Sequence, residues 1–205
     1  MVVPRSTGVA SHSVFSDLPN QLREGDVLVF NDSRVIPARL FGRKKDSHGS
    51  IELLLLERIS IGIWRSLVNP GKRLNVGAEF EIFDHNTEIA ISGTVLEVEN
   101  SGTRIVQISE DERLDSVGVI PLPPYIHEKL DNPERYQTVY SNIEGSIAAP
   151  TAGLHFTSDL LDDIQKKGVQ TVFVTLHVGW DTFRTINTED VSSHDMHSEA
   201  WDMST

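Results

Sequence analysis

The sequence predicts a mixed α+β fold in which an α/β domain is interrupted by an inserted small all-β barrel. Two observations carry this. Between Ile51 and Ile108 the runs IELLLLERI, IWRSLV, AEFEIF, TEIAISGTVLEVE and RIVQI are of strand length, separated by Gly, Asn, Asp or Pro, with no helical period among them. On both sides of this block, helical and strand signals mix, and no long linker, repeat or low-complexity tract separates the parts. The expected division is residues 1–48 plus 121–205 for the discontinuous α/β domain, and 49–120 for the barrel.

In chain order, Phe15, Leu18 and Leu22 recur at helical spacing behind the possible caps Ser13 and Ser16. Gly25 and Asp26 make a turn. Val27 to Phe30 reads as a fully buried strand that delivers Asn31, Asp32 and Ser33 at its end. Within the barrel block, Gly93 suggests a bulge. The consecutive prolines of PLPPYI, residues 121–126, predict an extended segment. Thr157 or Ser158 caps a helix with Leu160, Leu161 and Ile164 on one face, Asp159 in its first turn, Lys166 and Lys167 in its last, and Gly168 behind it. The following VQTVFVTLHVG is a strand with His177 at its exit.

Composition bounds the chemistry. The chain has 205 residues, enough for one large domain or two small ones, with 39% hydrophobic and 23% charged residues as in ordinary globular proteins. It has no cysteine, which excludes disulfides, thiolate metal sites and a thiol nucleophile. MVVPRSTGVASHSVF lacks a signal-peptide core, and no run is apolar enough for a bilayer span, so a cytoplasmic location with no membrane partner is expected. A net charge of −12 argues against a general nucleic-acid coat protein. Two basic stretches stand against it: Arg34, Arg39, Arg43, Lys44 and Lys45, then Lys72 and Arg73. They are either a local phosphate-binding surface or solvated loop charges.

Five segments carry candidate chemistry. GSIAAPTAGLHFT, residues 145–157, is rich in Gly, Ala, Ser and Thr, and its backbone can approach a ligand beside His155. The same smallness suits a tight helix–strand junction with His155 in the core. LHVGWDTFR places His177, Asp181 and Arg184 at and beyond a strand end, where ligands often sit in α/β folds, although Asp181 and Arg184 can equally pair with each other. HDMHSE offers His194, His197 and Glu199 as a weak metal pattern or a polar surface segment. NDSRVIPARLFGRKK holds the candidate contacts Asp32, Arg34 and Arg39, or a surface pair and a basic turn. RYQTVY supplies Tyr136 and Tyr140, either to stack on a base or to pack. No Gly-rich phosphate loop, serine-nucleophile elbow or zinc motif is present.

Taken in order, FSDLPNQLREGDVLVFNDSRVIPARLFGRK, PLPPYI, ERYQTVY, GSIAAPTAGLHFT, VTLHVGWDTFR and HDMHSE resemble the S-adenosylmethionine:tRNA ribosyltransferase-isomerase family of queuosine biosynthesis, from about Phe15 to Glu199. The resemblance implies an α/β catalytic domain carrying an inserted β-barrel. It also implies transfer and isomerisation of the ribosyl moiety of S-adenosylmethionine onto an aminomethyl-deazaguanine in the tRNA anticodon, giving epoxyqueuosine-tRNA, adenine and methionine. Implied partners are tRNA, through its anticodon loop, and S-adenosylmethionine as co-substrate. No metal or other cofactor is expected, and the complete protein is expected to be a monomer.

In that chemistry a base removes a proton from the methylene next to the sulfonium, adenine leaves with the help of an acid, and the substrate amine attacks the ribose. His155 and His177 are the expected base and acid. Expected substrate contacts are Asn31, Asp32, Arg34, Arg39, Tyr136, Tyr140, Thr151, Gly153, Arg184 and His197, with the arginines neutralising tRNA phosphate or the methionine carboxylate. Two positions depart from the family pattern GxGTFRP: Asp181 stands for its second Gly and Thr185 for its Pro, which changes what can approach that turn. Family members also begin before the position of Met1 and continue past that of Thr205, so the chain is expected to be truncated at both ends, with sheet edges left exposed. Two other classes compete: a non-catalytic tRNA-binding piece that uses the β-insert, and a metal-dependent hydrolase built on the histidines.

Overall fold

Strands on either side of the barrel pair with each other, and this fixes the architecture. The structure is a computed structural model; it describes the chain except residues 85, 87, 129, 184–187, 194, 195, 197, 204 and 205 and the side chains at 73 and 191. A 3₁₀ turn, Phe15–Gln21, precedes β1 (Val27–Asn31) and β2 (Ser33–Val35). Six strands then close a barrel: β3 (Arg39–Lys44), β4 (Ser50–Ser60), β5 (Ile63–Asn69), β6 (Glu79–Phe83), β7 (Ile89–Val98) and β8 (Arg104–Ile108), in the order β3-β4-β5-β8-β7-β6. After the short helix α1 (Leu114–Val117) come β9 (Ile143–Ser146), α2 (Ser158–Lys166), β10 (Gln170–His177) and β11 (Ala200–Asp202). β1 pairs in parallel with β10, from Val27 opposite Gln170 to Asn31 opposite Val174, and β2 pairs in parallel with β9. β11 lies antiparallel to β10 on its other side. The mixed α+β fold with an inserted barrel is therefore as the sequence predicts.

The barrel fills its interior by alternation. Ile51, Leu53 and Leu55 of β4 and Phe80 and Ile82 of β6 are buried, meeting Leu40, Val95 and Val106 in one cluster. Its first strand, Arg39–Lys44, lies ahead of residue 49, where the sequence predicts the barrel block to start. The charges at Arg39, Arg43 and Lys44 resemble a loop, but they sit on or beside the outer positions of a strand whose Leu40 and Gly42 face inward. The neck is narrow. Arg39 and Val119 exchange both backbone hydrogen bonds, at 3.0 and 2.8 Å, so the chain leaves the barrel beside the point where it came in.

Three other expectations change. Pro19 sits inside the Phe15–Gln21 turn and cannot donate a hydrogen bond, which favours a short 3₁₀ turn over a regular α-helix. β1 is half exposed, since Val27 and Val29, with Val172 beside them on β10, have no element packed over them among the described residues. In PLPPYI the chain turns, with Ile126 N–H bonded to Pro123 O at 2.9 Å, because a proline at the second position of a turn is pre-set in φ. Helix α2 forms as predicted: Thr157 Oγ1 accepts from Leu160 N–H at 3.2 Å, and Gly168 follows with φ of 82°. Among the described residues, no helix is long and apolar enough to cross a membrane.

One buried carboxylate locks the barrel's exit. Asp111 Oδ2 accepts from Arg58 at 2.8 Å, Gly62 N–H at 2.9 Å and Trp64 Nε1–H at 3.3 Å. Burial pushes its pKa up, but the Gly62, Arg58 and Trp64 donors outweigh this and hold it below its ordinary value of 3.8. A depressed folded-state pKa stabilises above the unfolded value and is lost as pH falls toward the folded one. Asp111→Asn is therefore expected to cost about 1–3 kcal/mol at neutral pH, and in thermal melts its deficit against the parent should shrink below about pH 4.

Gly93 does not make the expected bulge. It gives room to the Phe80 ring: a Cβ there would lie 2.6 Å from Phe80 Cε2 and 2.5 Å from Gln107 O, while the β7–β8 register shifts further on, between Val95 and Glu97. Gly93→Ala should cost about 1–3 kcal/mol by overpacking, read as a lower denaturation midpoint with an unchanged m-value.

Candidate active site

The site is assembled where β1, β9 and β10 end together. Asn31 at the end of β1 acts as a peptide mimic. Its Nδ2 donates to Leu176 O at 2.9 Å, and its Oδ1 accepts from Leu176 N–H at 3.0 Å and Ser33 N–H at 3.1 Å. Asp32 Oδ1 accepts from Thr175 Oγ1 at 2.7 Å. The buried Ser146 hydroxyl donates to Ser33 Oγ at 2.8 Å and accepts from Val178 N–H at 3.0 Å. Buried polar groups are thus paired across three strand ends, and the backbone on both sides of His177 is fixed.

His177 lines a cleft of about 950 Å³ between the end of β10 and the barrel wall. Gly145, with φ of 143°, sits directly against the imidazole: a Cβ there would lie 2.7 Å from both Nδ1 and Cε1. Here the need for small residues has a physical answer, because only glycine leaves space for the ring and tolerates that backbone. His177 Nδ1 is buried without a hydrogen-bond partner among the described residues. Across the cleft, Arg65 is held by Glu57 and by Glu99, the latter at 3.0 Å, and Thr103 Oγ1 donates to Glu99. Glu199 closes another side, accepting from Gly179 N–H at 3.0 Å. An imidazole that lines such a cleft has the chemical type of a general acid or base.

The other candidates are distributed differently. His155 is exposed and stacked on Phe15 at 5.0 Å, outside the lining that holds His177. Arg34 is paired with Glu134 and donates to Ser141 Oγ at 3.0 Å; Arg39 lies 3.1 Å from Glu52. Both arginines line a second cleft of about 540 Å³, next to Ile120 and His127. Tyr136 is buried in a small core with Val35, Ile120 and Ala149, so its ring packs rather than standing free for a base. Tyr140 stands over Phe30 at 4.7 Å and near Phe173 at 6.0 Å. Burial pushes both phenols above the ordinary tyrosine value, keeping them protonated at neutral pH. Gly153 is buried against the Tyr140 hydroxyl, with a Cβ position 2.7 Å from Thr138 Cγ2, and Thr151 is exposed at the start of the same turn. Arg184 and His197, with His194 and Thr185, lie outside the described residues, whereas Asp181 lines the His177 cleft.

Sequence reasoning missed the barrel's share of the site. Glu57 and Arg65 meet because β4 and β5 pair them across the sheet, a register that no local pattern reveals. Ser33 is legible as part of the polar group after β1, but nothing local links it to Ser146, 113 positions away. Gly145→Ala is expected to push the His177 ring out of place. The result should be a changed His177 imidazole resonance, an unchanged His155 resonance, and a loss of about 1–3 kcal/mol in stability.

With this geometry in place, comparison with known proteins is informative. A sequence model described as queuosine biosynthesis protein matches residues 1–205. The chain is 50% identical over 203 residues to the S-adenosylmethionine:tRNA ribosyltransferase-isomerase of Clostridioides difficile, covering 97% of this chain and 58% of that one. It is 46% identical over 207 residues to the protein of the same name from Staphylococcus haemolyticus, covering 99% of this chain and 60% of that one. Among solved structures it is similar to the S-adenosylmethionine tRNA ribosyltransferase of Thermotoga maritima, at 35% identity over 82% of this chain and 46% of that one, with a TM-score of 0.34. The chain spans about three fifths of the length of the curated relatives it matches. The match over every residue, at such identity, means that the chain belongs to the queuosine biosynthesis protein family.

Proposed function

We propose that the chain is the barrel-bearing part of an S-adenosylmethionine:tRNA ribosyltransferase-isomerase, with the His177 cleft as its reaction site. The substrate is tRNA carrying aminomethyl-deazaguanine in the anticodon. The ribosyl moiety of S-adenosylmethionine is transferred and isomerised onto that base, and epoxyqueuosine-tRNA, adenine and methionine are the products. The observation that carries this reading is the partly buried imidazole of His177, cleared by Gly145 and facing a charged barrel wall across a cleft large enough for a nucleoside.

In this reading His177 takes the proton from the methylene next to the sulfonium, or delivers one to departing adenine. His177 is better placed for this than His155, whose ring is engaged with Phe15. Asn31, Asp32 and Ser146 act as positioning residues, since they hold the strand that carries His177. Arg34 and Arg39 line the second cleft, where an RNA phosphate or a carboxylate would exchange with Glu134 or Glu52 for the guanidinium.

A second reading, a tRNA-binding piece without turnover that uses the β-insert, predicts salt-sensitive tRNA binding with no adenine release. Adenine release from S-adenosylmethionine, with modified tRNA supplied, separates the two when this chain is assayed beside a full-length relative. In the full-length protein, a His177→Ala equivalent should lower kcat by about 10²–10⁴-fold, the usual contribution of a positioned acid or base. His155→Ala should fall far short of that. Near-normal turnover after removing His177 would discard the assignment.

A further inference from the structure

In an acidic chain, positive charge that no carboxylate cancels is informative, and the barrel concentrates it at one end. The described barrel cations from Arg39 to Arg65 are each paired with Asp or Glu. Lys72 and Arg104 have no such partner among the described residues. Lys72 is exposed on the turn Gly71–Arg73. Arg104 is 9% exposed, and its guanidinium is held only by main-chain carbonyls: Leu74 at 3.2 Å, Gly71 at 2.5 Å, and Gly102. Carbonyl dipoles replace water around a buried cation but do not cancel its net charge, so its field reaches the turn it supports.

Position gives this charge a use. Arg104 follows Thr103, and Thr103 and Ser101 line the His177 cleft. By bonding Gly71 and Gly102 together, Arg104 pins the Lys72 turn to the hairpin that rims that cleft. A polynucleotide that places one base in the cleft must lay its flanking phosphates over the rim. Elsewhere on the barrel those phosphates meet guanidinium and ammonium groups already neutralised.

We infer that the turn Gly71–Arg73, backed by the buried Arg104, is a contact for the RNA phosphate backbone. It fixes the strand while the base enters the cleft. This rests on the reading that the protein acts on tRNA, but it concerns equilibrium binding and stands or falls apart from turnover. The contact is independent of base identity, and it is lost with salt as counterions return to the phosphates.

The test uses the 205-residue chain and a labelled tRNA transcript, with binding followed by fluorescence anisotropy across a salt series. The double variant Lys72→Ala/Arg73→Ala should bind about 5–20-fold more weakly at low salt, with a slope of log affinity against log salt shallower by about one to two. Arg23→Ala, in the turn before β1, should change neither quantity. Thermal melts of all three proteins should coincide, so that a difference in binding is not a difference in folding. An unchanged affinity and slope in the double variant would overturn the inference. So would a parent chain that fails to bind tRNA even at low salt. Adenine release is measured separately, so loss of turnover with retained, Lys72-dependent binding would remove the catalytic reading and leave this one standing.

Discussion

The structure depends on a polar clamp that continues the β1–β10 pairing after the main-chain ladder between them has ended. Asn31 presents an amide side chain to Leu176 as another strand would, with one donor and one acceptor in register. Ser146 then ties β9 to Ser33 on one side and Val178 on the other. These groups are buried or partly buried, so losing one partner leaves another unsatisfied at a cost of about 1–3 kcal/mol. The clamp therefore specifies one arrangement of three strand ends, and His177 occupies the middle of it.

The barrel is inserted where this clamp needs it. The chain leaves β2, forms six strands and returns through a neck closed by the Arg39–Val119 pairing, so the insertion adds little loop-closure cost to the α/β part. The barrel's core cluster includes Ile147 from the small-residue run and has Trp180 packed against it, which joins the two parts directly beside the cleft. The wall facing His177 is consequently rigid: Arg65, Glu57, Glu99 and Thr103 hold one another before any ligand arrives. Preorganised charge of this kind is the form of electrostatic help that a reacting sulfonium or a departing base can use.

Much of the fold was legible because local signals agreed with it. Helix α2 has its Thr157 cap, its apolar face and its Gly168 stop, and β10 is a run of alternating and apolar residues ending in a polar group. β3 was hidden because Arg39 and Arg43 stand at outward positions beside the exposed Phe41 and Lys44 ends the strand, so the two inward residues, Leu40 and Gly42, were too few to show a period. The site was legible only in outline. His155 and His177 look equivalent in sequence, each at the end of a short element. Their difference arises from tertiary packing, where Phe15 stacks against one exposed ring and Gly145 leaves space beside the other in a cleft. Tyr136 and Tyr140 read equally as stacking platforms or as packing, because their neighbours Val35 and Phe30 come from strands about a hundred positions earlier. Long-range pairing of this sort leaves no trace in local spacing.

The central claim is that the His177 cleft receives the sulfonium nucleoside. Its most direct test is the imidazole Cε1–H resonances of His155 and His177 in this chain, followed as S-adenosylmethionine is added. The account predicts a saturable displacement of the His177 signal and a stationary His155 signal. A His155 signal that moves while His177 stays fixed would contradict it, and so would two signals unmoved by the nucleoside.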